Sequence, residues 1–327
     1  MSKILEVKDL ETSFFTDDGE VEAVRGISFG LQEGTITGII GESGCGKSVT
    51  ALSILRLLPG RGRIKAGEIR FEGTRLTALK EREMRKIRGN RISIIFQNPA
   101  TALDPLYSIG NQMGEVISFH KKTNREETRA QCVRLLEMVG LSDPEARLRA
   151  YPHELSGGMC QRVAVALALS CQPRLLLADE PTTALDVTMQ IQILGLIRRL
   201  ARQFNSAVLL ITHDLSVIAN ICTRVIVMYG GKIMEEGEVR DIFSSPLHPY
   251  TKGLLQTVRD LERPAGGELF CIEGTPPSLL KPPEGCPFAR RCPHAMQICR
   301  MAAPQVYQVG GHRAYCWLLD PECGGEL

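Results

Sequence analysis

Charged and apolar residues alternate along M-S-K-I-L-E-V-K-D-L at the N-terminus, and I-L-E-V at residues 4–7 and V-E-A-V-R-G-I-S-F at 21–29 read as strands. D-D-G at 17–19 separates the two stretches and predicts a hairpin turn. The run I-T-G-I-I at 36–40 is β-branched and apolar, as a short buried strand requires. V-T-A-L-S-I-L-R-L-L then switches to helical spacing. Gly67–Phe71 predicts another strand, residues 78–90 a charged helix, and R-I-S-I-I-F at 91–96 a buried strand ending in Gln97. N-P-A-T-A-L-D-P breaks the chain into a loop. From about residue 109 to 148 the pattern is helical, with amphipathic stretches near 110–119 and 125–139. Further along, R-L-L-L-A-D-E-P at 174–181 and A-V-L-L-I-T-H-D at 207–214 read as buried strands, with a helix reaching Phe204 between them. V-I-V-M-Y-G-G-K-I-M-E-E-G is a hairpin around a Gly-Gly turn, and the folded core is expected to close near Phe243. Strands alternating with helices predict an α/β fold, with an antiparallel β portion at the N-terminus and a helical insertion at about 100–160.

The chemistry is carried by the joints between these elements. G-E-S-G-C-G-K-S at 41–48 fills the pattern G-x-x-x-x-G-K-[ST] between a strand and a helix, the context a phosphate-binding loop requires. Gly41, Ser43, Gly44, Cys45, Gly46 and Val49 shape or flank a cradle of backbone N–H groups, reinforced by the helix N-terminus. Lys47 can reach β- and γ-phosphates, and the Ser48 hydroxyl can ligate Mg²⁺. Asp179 ends an apolar strand and suits Mg²⁺, while Glu180 beside it can orient an attacking water. Gln97, at the mouth of its strand, can hold a metal-bound water or sense a γ-phosphate. His213 puts a third polar group at a strand end, where parallel sheets bind ligands. Ser156, Gly157 and Gly158 open a helix without a lysine, a second anion site resembling half of the first. That pairing suggests two subunits with nucleotide sandwiched between them. Phe14 and Phe15 precede the first turn and face opposite sides of a strand, and Phe14 is the candidate for stacking on an adenine ring.

Bulk properties narrow the class. At 327 residues with 43% hydrophobic and 23% charged, the chain can bury a full core. A formal net charge of +2 gives no electrostatic reason to expect nucleic acid as a partner. The sequence contains no apolar run long enough to span a bilayer, and its N-terminus reads as a strand, not a signal peptide. It is therefore expected in the cytoplasm unless a partner draws it to a membrane. Of the eleven cysteines, Cys45, Cys132, Cys160, Cys171 and Cys222 are scattered, whereas Cys271, Cys286, Cys292, Cys299, Cys316 and Cys323 crowd together near the C-terminus. In a reducing compartment such crowding points to metal more than to disulfides.

Taken together, the motifs over about residues 4–245 resemble the nucleotide-binding subunit of an ATP-binding-cassette (ABC) transporter, with every family motif in order. The matching segments are G-E-S-G-C-G-K-S, Gln97, L-S-G-G-M at 155–159, L-L-L-A-D-E, A-L-D at 184–186, and His213. The resemblance implies a P-loop NTPase cassette in which Ser156, Gly157 and Gly158 contact the γ-phosphate held by an opposing subunit. It also implies that Glu180 polarises water and that His213 contacts the γ-phosphate. Cys45 stands where serine is frequent and Val49 where threonine is frequent; neither change removes a phosphate contact. S-S-P-L-H-P-Y-T-K-G-L-L, I-E-G-T-P-P-S-L and G-C-P-F-A-R-R-C-P-H-A-M-Q-I-C are similar to the di/oligopeptide and nickel importer group. That likeness implies an ATPase at the cytoplasmic face of the cell (inner) membrane, peripheral to two transmembrane permease subunits. A second, non-identical ATPase subunit and a periplasmic or extracellular solute-binding protein complete the implied assembly, although the motifs are equally compatible with self-pairing. Di- and oligopeptides lead as the solute, with nickel or another small solute as the alternative.

The domains expected are 1–245 for nucleotide and 246–327 for a small Cys-bearing extension with little apolar periodicity of its own. A metal site would help it fold. The spacing Cys286-x5-Cys292-x6-Cys299-x16-Cys316 lacks the tight C-x2-C pairs of a zinc ribbon. Four thiolates, two of them followed by proline, fit a [4Fe–4S] cluster better, as some members of the importer group carry. Zinc, and plain or disulfide-linked thiols, remain alternatives, as does Cys323 in place of Cys316. Competing functional classes are a soluble cassette ATPase and an iron–sulfur scaffold that nucleotide merely switches. The first usually has two cassettes or a coiled-coil insertion, and intact Glu180 and His213 speak against the second.

Overall fold

A computed structural model of the chain describes residues 3–183, 185–261 and 270–323. It comprises two compact units. The first contains Met1–Ile4, Leu31–Thr35 and Ala78–Ile211; the second contains Leu5–Gly30, Ile36–Thr77 and Thr212–Leu327.

Within the first unit, strands Ile92–Ile95, Leu175–Asp179 and Ala207–Ile211 pair in parallel. Every residue of Leu175–Asp179 and Ala207–Ile211 is buried, which explains why these strands read as unbroken apolar runs. Helices Ile109–Lys121, Arg125–Met138 and Pro144–Arg149 occupy the region expected to be helical. Polar side chains set where helices start. Asn124 accepts from Glu127 N at 2.9 Å while Glu127 reaches back to Asn124 N, a reciprocal cap. Ser156 caps Gly157–Leu169, and Asp186 caps Val187–Phe204.

In the second unit, Lys3–Thr16 pairs antiparallel with Gly62–Phe71, from Leu5 opposite Phe71 to Phe14 opposite Gly62, with a shift of register on either side of Glu11. Gly19–Gln32 flanks it on the other side, as the D-D-G turn predicts. The wholly buried strand Ile36–Ile40 pairs in parallel with Arg224–Tyr229, which forms the Gly-Gly hairpin with Lys232–Glu238. Two further strands are not predicted by any alternation in the sequence. His312–Ala314 pairs antiparallel with Lys232–Glu238, and Tyr307–Val309 adds one more strand. The C-terminal residues also share a core with the sheet. Phe288, Tyr250 and Tyr229 are buried together, the Tyr229 ring lying 5.4 Å from that of Phe288 and 4.7 Å from that of Tyr250. The extension thus needs no apolar periodicity, because its single aromatic anchors insert against a pre-existing strand.

Candidate functional site

The phosphate loop is shaped by its neighbours. Ile36–Ile40 delivers the chain to Gly41, and helix Lys47–Leu55 begins at Gly46 with φ of 100°, a left-handed conformation that favours glycine. A Cβ on Gly46 would lie 2.4 Å from the Ala23 carbonyl oxygen, and one on Gly41 would lie 2.1 Å from that of Met228. Helix Lys47–Leu55 has no side-chain cap and no acidic residue in its first turn, so its N-terminus suits an anion. Lys47 is buried, and its Nζ donates to the carbonyls of Gly41 at 2.8 Å and Glu42 at 3.0 Å. These features fit a bound polyphosphate. Ser43 and Gly44 are exposed on the loop, Cys45 is buried, and Ser48 and Val49 are half-buried. Burial raises the Cys45 thiol above its ordinary range. Gly46→Ala is expected to weaken nucleotide binding about thirtyfold, since forcing that backbone costs about 2 kcal/mol. Equilibrium titration with a fluorescent ATP analogue checks this.

Phe14 and His213 also belong to this unit. Phe14 is half-buried, its ring filling the space that a Cβ on Gly62 would need, while Phe15 is 38% exposed. His213 is exposed, between Thr212 and Asp214. Asp214 caps helix Leu215–Ile221 by accepting from Ser216 N at 2.8 Å, which fixes the chain at the end of the histidine's loop.

In the first unit the structure brings Gln97 and Glu180 together. Gln97 Nε2 donates to Glu180 Oε2 at 2.9 Å, and Thr183 Oγ1 donates to the same oxygen at 2.9 Å. Glu180 has φ of 44°, rare for a residue with a side chain, and its N–H donates to the Ile211 carbonyl at 2.9 Å. Strained backbone of this kind concentrates where a side chain must be aimed. Asp179 is buried at the strand end before it. The amide oxygen of Gln97 and the carboxylate of Asp179, both in this unit, are hard oxygen donors of the kind Mg²⁺ prefers. Ser156 and Gly157 are exposed at a helix start, where Ser156 Oγ accepts from Met159 N at 3.3 Å. Gln161, on the same helix, donates to the Pro181 carbonyl at 2.6 Å, tying the signature helix to the loop after Glu180. Thr183 and Gln161 were not anticipated from sequence; their partners are set by the turn geometry, which no residue pattern announces.

The crowded C-terminal cysteines lie in the second unit. Cys286, Cys292, Cys299 and Cys316 line one small cavity with His248, His294, Phe288 and Trp317. All eleven cysteines are free thiols, and Cys323 is exposed and does not line the cavity. Cys286 N donates to the Cys299 carbonyl at 2.8 Å, an approach that only Gly285 allows, since a Cβ there would lie 2.3 Å from that oxygen. Burial pushes the Cys286 thiol up to about 12 and that of Cys316 up to about 11, and it raises Cys292 as well. Burial, with help from the Lys252 cation, lowers His248 to about 3, and its Nδ1 accepts from Tyr250 N at 3.0 Å. Among the described residues no three His, Cys, Asp or Glu side chains converge to hold a single metal ion. The soft sulfur donors around one cavity nevertheless have the chemistry of a thiolate-ligated group.

Comparison with known proteins places this geometry. The ABC transporter family matches residues 24–183, and the oligopeptide/dipeptide transporter C-terminal region matches residues 234–299. A dipeptide transport ATP-binding protein of Bacillus subtilis is 50% identical over 322 residues, 98% of this chain and 96% of that protein. An oligopeptide transport ATP-binding protein of Salmonella typhimurium is 49% identical over 312 residues, 95% of this chain and 92% of its own length. Among solved structures, a dimeric ATP-binding cassette in a post-hydrolysis state with ADP and Pi superposes with a TM-score of 0.65 at 28% identity. It covers 72% of this chain and 99% of the cassette. A cassette from Clostridium perfringens that is part of the cbiONQ transporter complex gives a TM-score of 0.63 at 26% identity, covering 75% and 92%. The fold is therefore that of an ABC ATPase cassette. The chain belongs to the ATP-binding subunits of ABC transporters, in the oligopeptide/dipeptide branch, and is an ATPase.

Proposed function

We propose that this subunit hydrolyses ATP to drive uptake of di- and oligopeptides, as a peripheral protein at the cytoplasmic face of the cell (inner) membrane. The observation that carries the reading is that likeness to peptide-transport ATP-binding proteins extends through the C-terminal extension as well as the cassette. Among the described residues no helix is long and apolar enough to cross a membrane. Permease subunits supply the conduit. Two such subunits, a second non-identical ATPase subunit and a solute-binding protein complete the assembly. Residues 1–245 serve as the nucleotide domain, with a helical part at about 100–160, and 246–327 as the extension.

Lys47 and the loop amides of residues 41–48 hold the phosphates, and Phe14 stacks on the adenine. Ser48, Gln97 and Asp179 would hold Mg²⁺, which would supply charge neutralisation to the phosphates. Glu180 accepts a hydrogen bond from the attacking water and directs it in line with the γ-phosphate, while His213 contacts that phosphate. Ser156, Gly157 and Gly158 contact the γ-phosphate on an opposing subunit. Support comes from the fixed Gln97–Glu180–Thr183 contacts, which aim the carboxylate in advance of substrate.

The same reading assigns a [4Fe–4S] cluster to Cys286, Cys292, Cys299 and Cys316. Four free thiols lining one small cavity support it. The role is structural, because ATP hydrolysis transfers no electrons. One purification tests both assignments. The intact complex is expected to carry about four irons and four acid-labile sulfides per chain, lost when any of the four cysteines becomes serine. Its ATPase is expected to rise with a peptide-loaded binding protein. Zinc or no metal would overturn the cluster, and stimulation by nickel in place of peptide would overturn the substrate class.

A further inference from the structure

Glu42 is the acidic side chain on the loop 41–48 that would wrap the phosphates. A carboxylate in that place opposes a polyphosphate unless its charge is met. Here it is met from the far end of the chain. Arg291 Nη1 donates to Glu42 Oε1 at 2.9 Å and Oε2 at 2.8 Å. The guanidinium is itself held in place. Nη1 donates to Tyr229 Oη at 3.0 Å, Nη2 to the Ile272 carbonyl at 2.8 Å, and Nε to the Glu273 carbonyl at 2.8 Å. Its carbon lies 5.7 Å from the centre of the Tyr229 ring. The Arg291 side chain is 8% exposed and that of Glu42 is 24% exposed, so water screens the pair poorly. The Glu42 backbone is fixed as well, its N–H donating to Tyr250 Oη at 3.0 Å and its carbonyl accepting from Lys47.

We infer that Arg291 is a positioning residue for nucleotide binding: it neutralises Glu42 and holds the phosphate loop ready for a polyanion. The inference rests on residues 41–48 being the nucleotide site and is independent of what the four thiols hold. Nη1 alone meets both carboxylate oxygens, so what Glu42 requires is a positive charge at that point, while Nη2 and Nε hold the side chain to backbone carbonyls.

The test is the dissociation constant of the full-length chain for a fluorescent Mg–ATP analogue. Arg291→Gln keeps donors for the carbonyls but removes the charge, and is expected to weaken binding about tenfold, or about 1.4 kcal/mol. Adding Glu42→Gln to that variant removes the stranded carboxylate and is expected to bring affinity back to within about threefold of the wild type. Glu42→Gln alone and Arg291→Lys are both expected to bind within about threefold of it. Should Arg291→Gln not fold, those two single variants still decide, since a tenfold loss in either overturns the inference. So does an Arg291→Gln affinity within twofold of wild type, or a double variant as weak as Arg291→Gln alone, which is what a merely structural arginine would give. Lys47→Ala, measured in parallel, separates the two levels. Wild-type affinity in Lys47→Ala overturns the nucleotide-site assignment itself, whereas lost affinity there with an unaffected Arg291→Gln overturns only the role of Arg291.

Discussion

Replacing Glu180 with glutamine is expected to lower the ATPase turnover of the intact complex by about 10²–10³-fold while nucleotide binding stays within about threefold. The two side chains have the same shape, so the carbonyl oxygen of glutamine can still accept from Gln97 Nε2 and Thr183 Oγ1, which both reach Oε2 at 2.9 Å. What is lost is the negative charge that draws the proton side of an attacking water. The left-handed backbone of Glu180 and its N–H bond to Ile211 are untouched by the change, so the loop is expected to keep its form. Single-turnover hydrolysis with saturating Mg–ATP reads the chemical step directly. A rate within tenfold of wild type would move the water-orienting role to another group.

The second large effect concerns stability. Glu235→Ala is expected to destabilise the protein by about 3–5 kcal/mol, read as a fall in the midpoint of urea or thermal unfolding. Glu235 is 0% exposed in strand Lys232–Glu238. Its two carboxylate oxygens accept from the backbone N–H groups of Leu247 at 2.8 Å and His248 at 3.0 Å, and Oε1 lies 3.5 Å from His312 Nδ1. Alanine strands both N–H groups away from water. Glutamine can accept only with its single carbonyl oxygen, so Glu235→Gln is expected to lose about half as much. An alanine variant as stable as wild type would mean that water reaches those N–H groups freely.

The sequence announces the nucleotide loop and the Asp179–Glu180 strand end because each is contiguous: strand, turn and helix, or strand and two acids, succeed one another along the chain. The buried strands Ile36–Ile40, Leu175–Asp179 and Ala207–Ile211 are legible for the same reason, as short, largely apolar runs that end at a glycine or a polar residue. The Arg291–Glu42 pair is a different kind of fact. Its partners are separated by 249 positions, and neither belongs to a repeating pattern. The three-residue strands Tyr307–Val309 and His312–Ala314 are too short for period two to stand out; pairing of His312–Ala314 with Lys232–Glu238, and of Tyr307–Val309 with His312–Ala314, decides their conformation. Phe288 is invisible as core until Tyr229 and Tyr250 are seen beside it. The cysteines fall between these cases: their crowding is plain in the sequence, and their meeting around one cavity depends on the fold of residues 285–299 and the return of the chain at Cys316.

The pairing of His312–Ala314 with Lys232–Glu238 also bears on how the protein is made. A ribosome releases Lys232–Glu238 well before its outer neighbour exists, so the hydrogen-bonding groups on that side of the strand stay open during synthesis. An open strand edge is the surface through which nascent chains join one another. The late arrival of His312–Ala314 covers that edge at Glu235 and Glu236, and chains interrupted before that point keep it open.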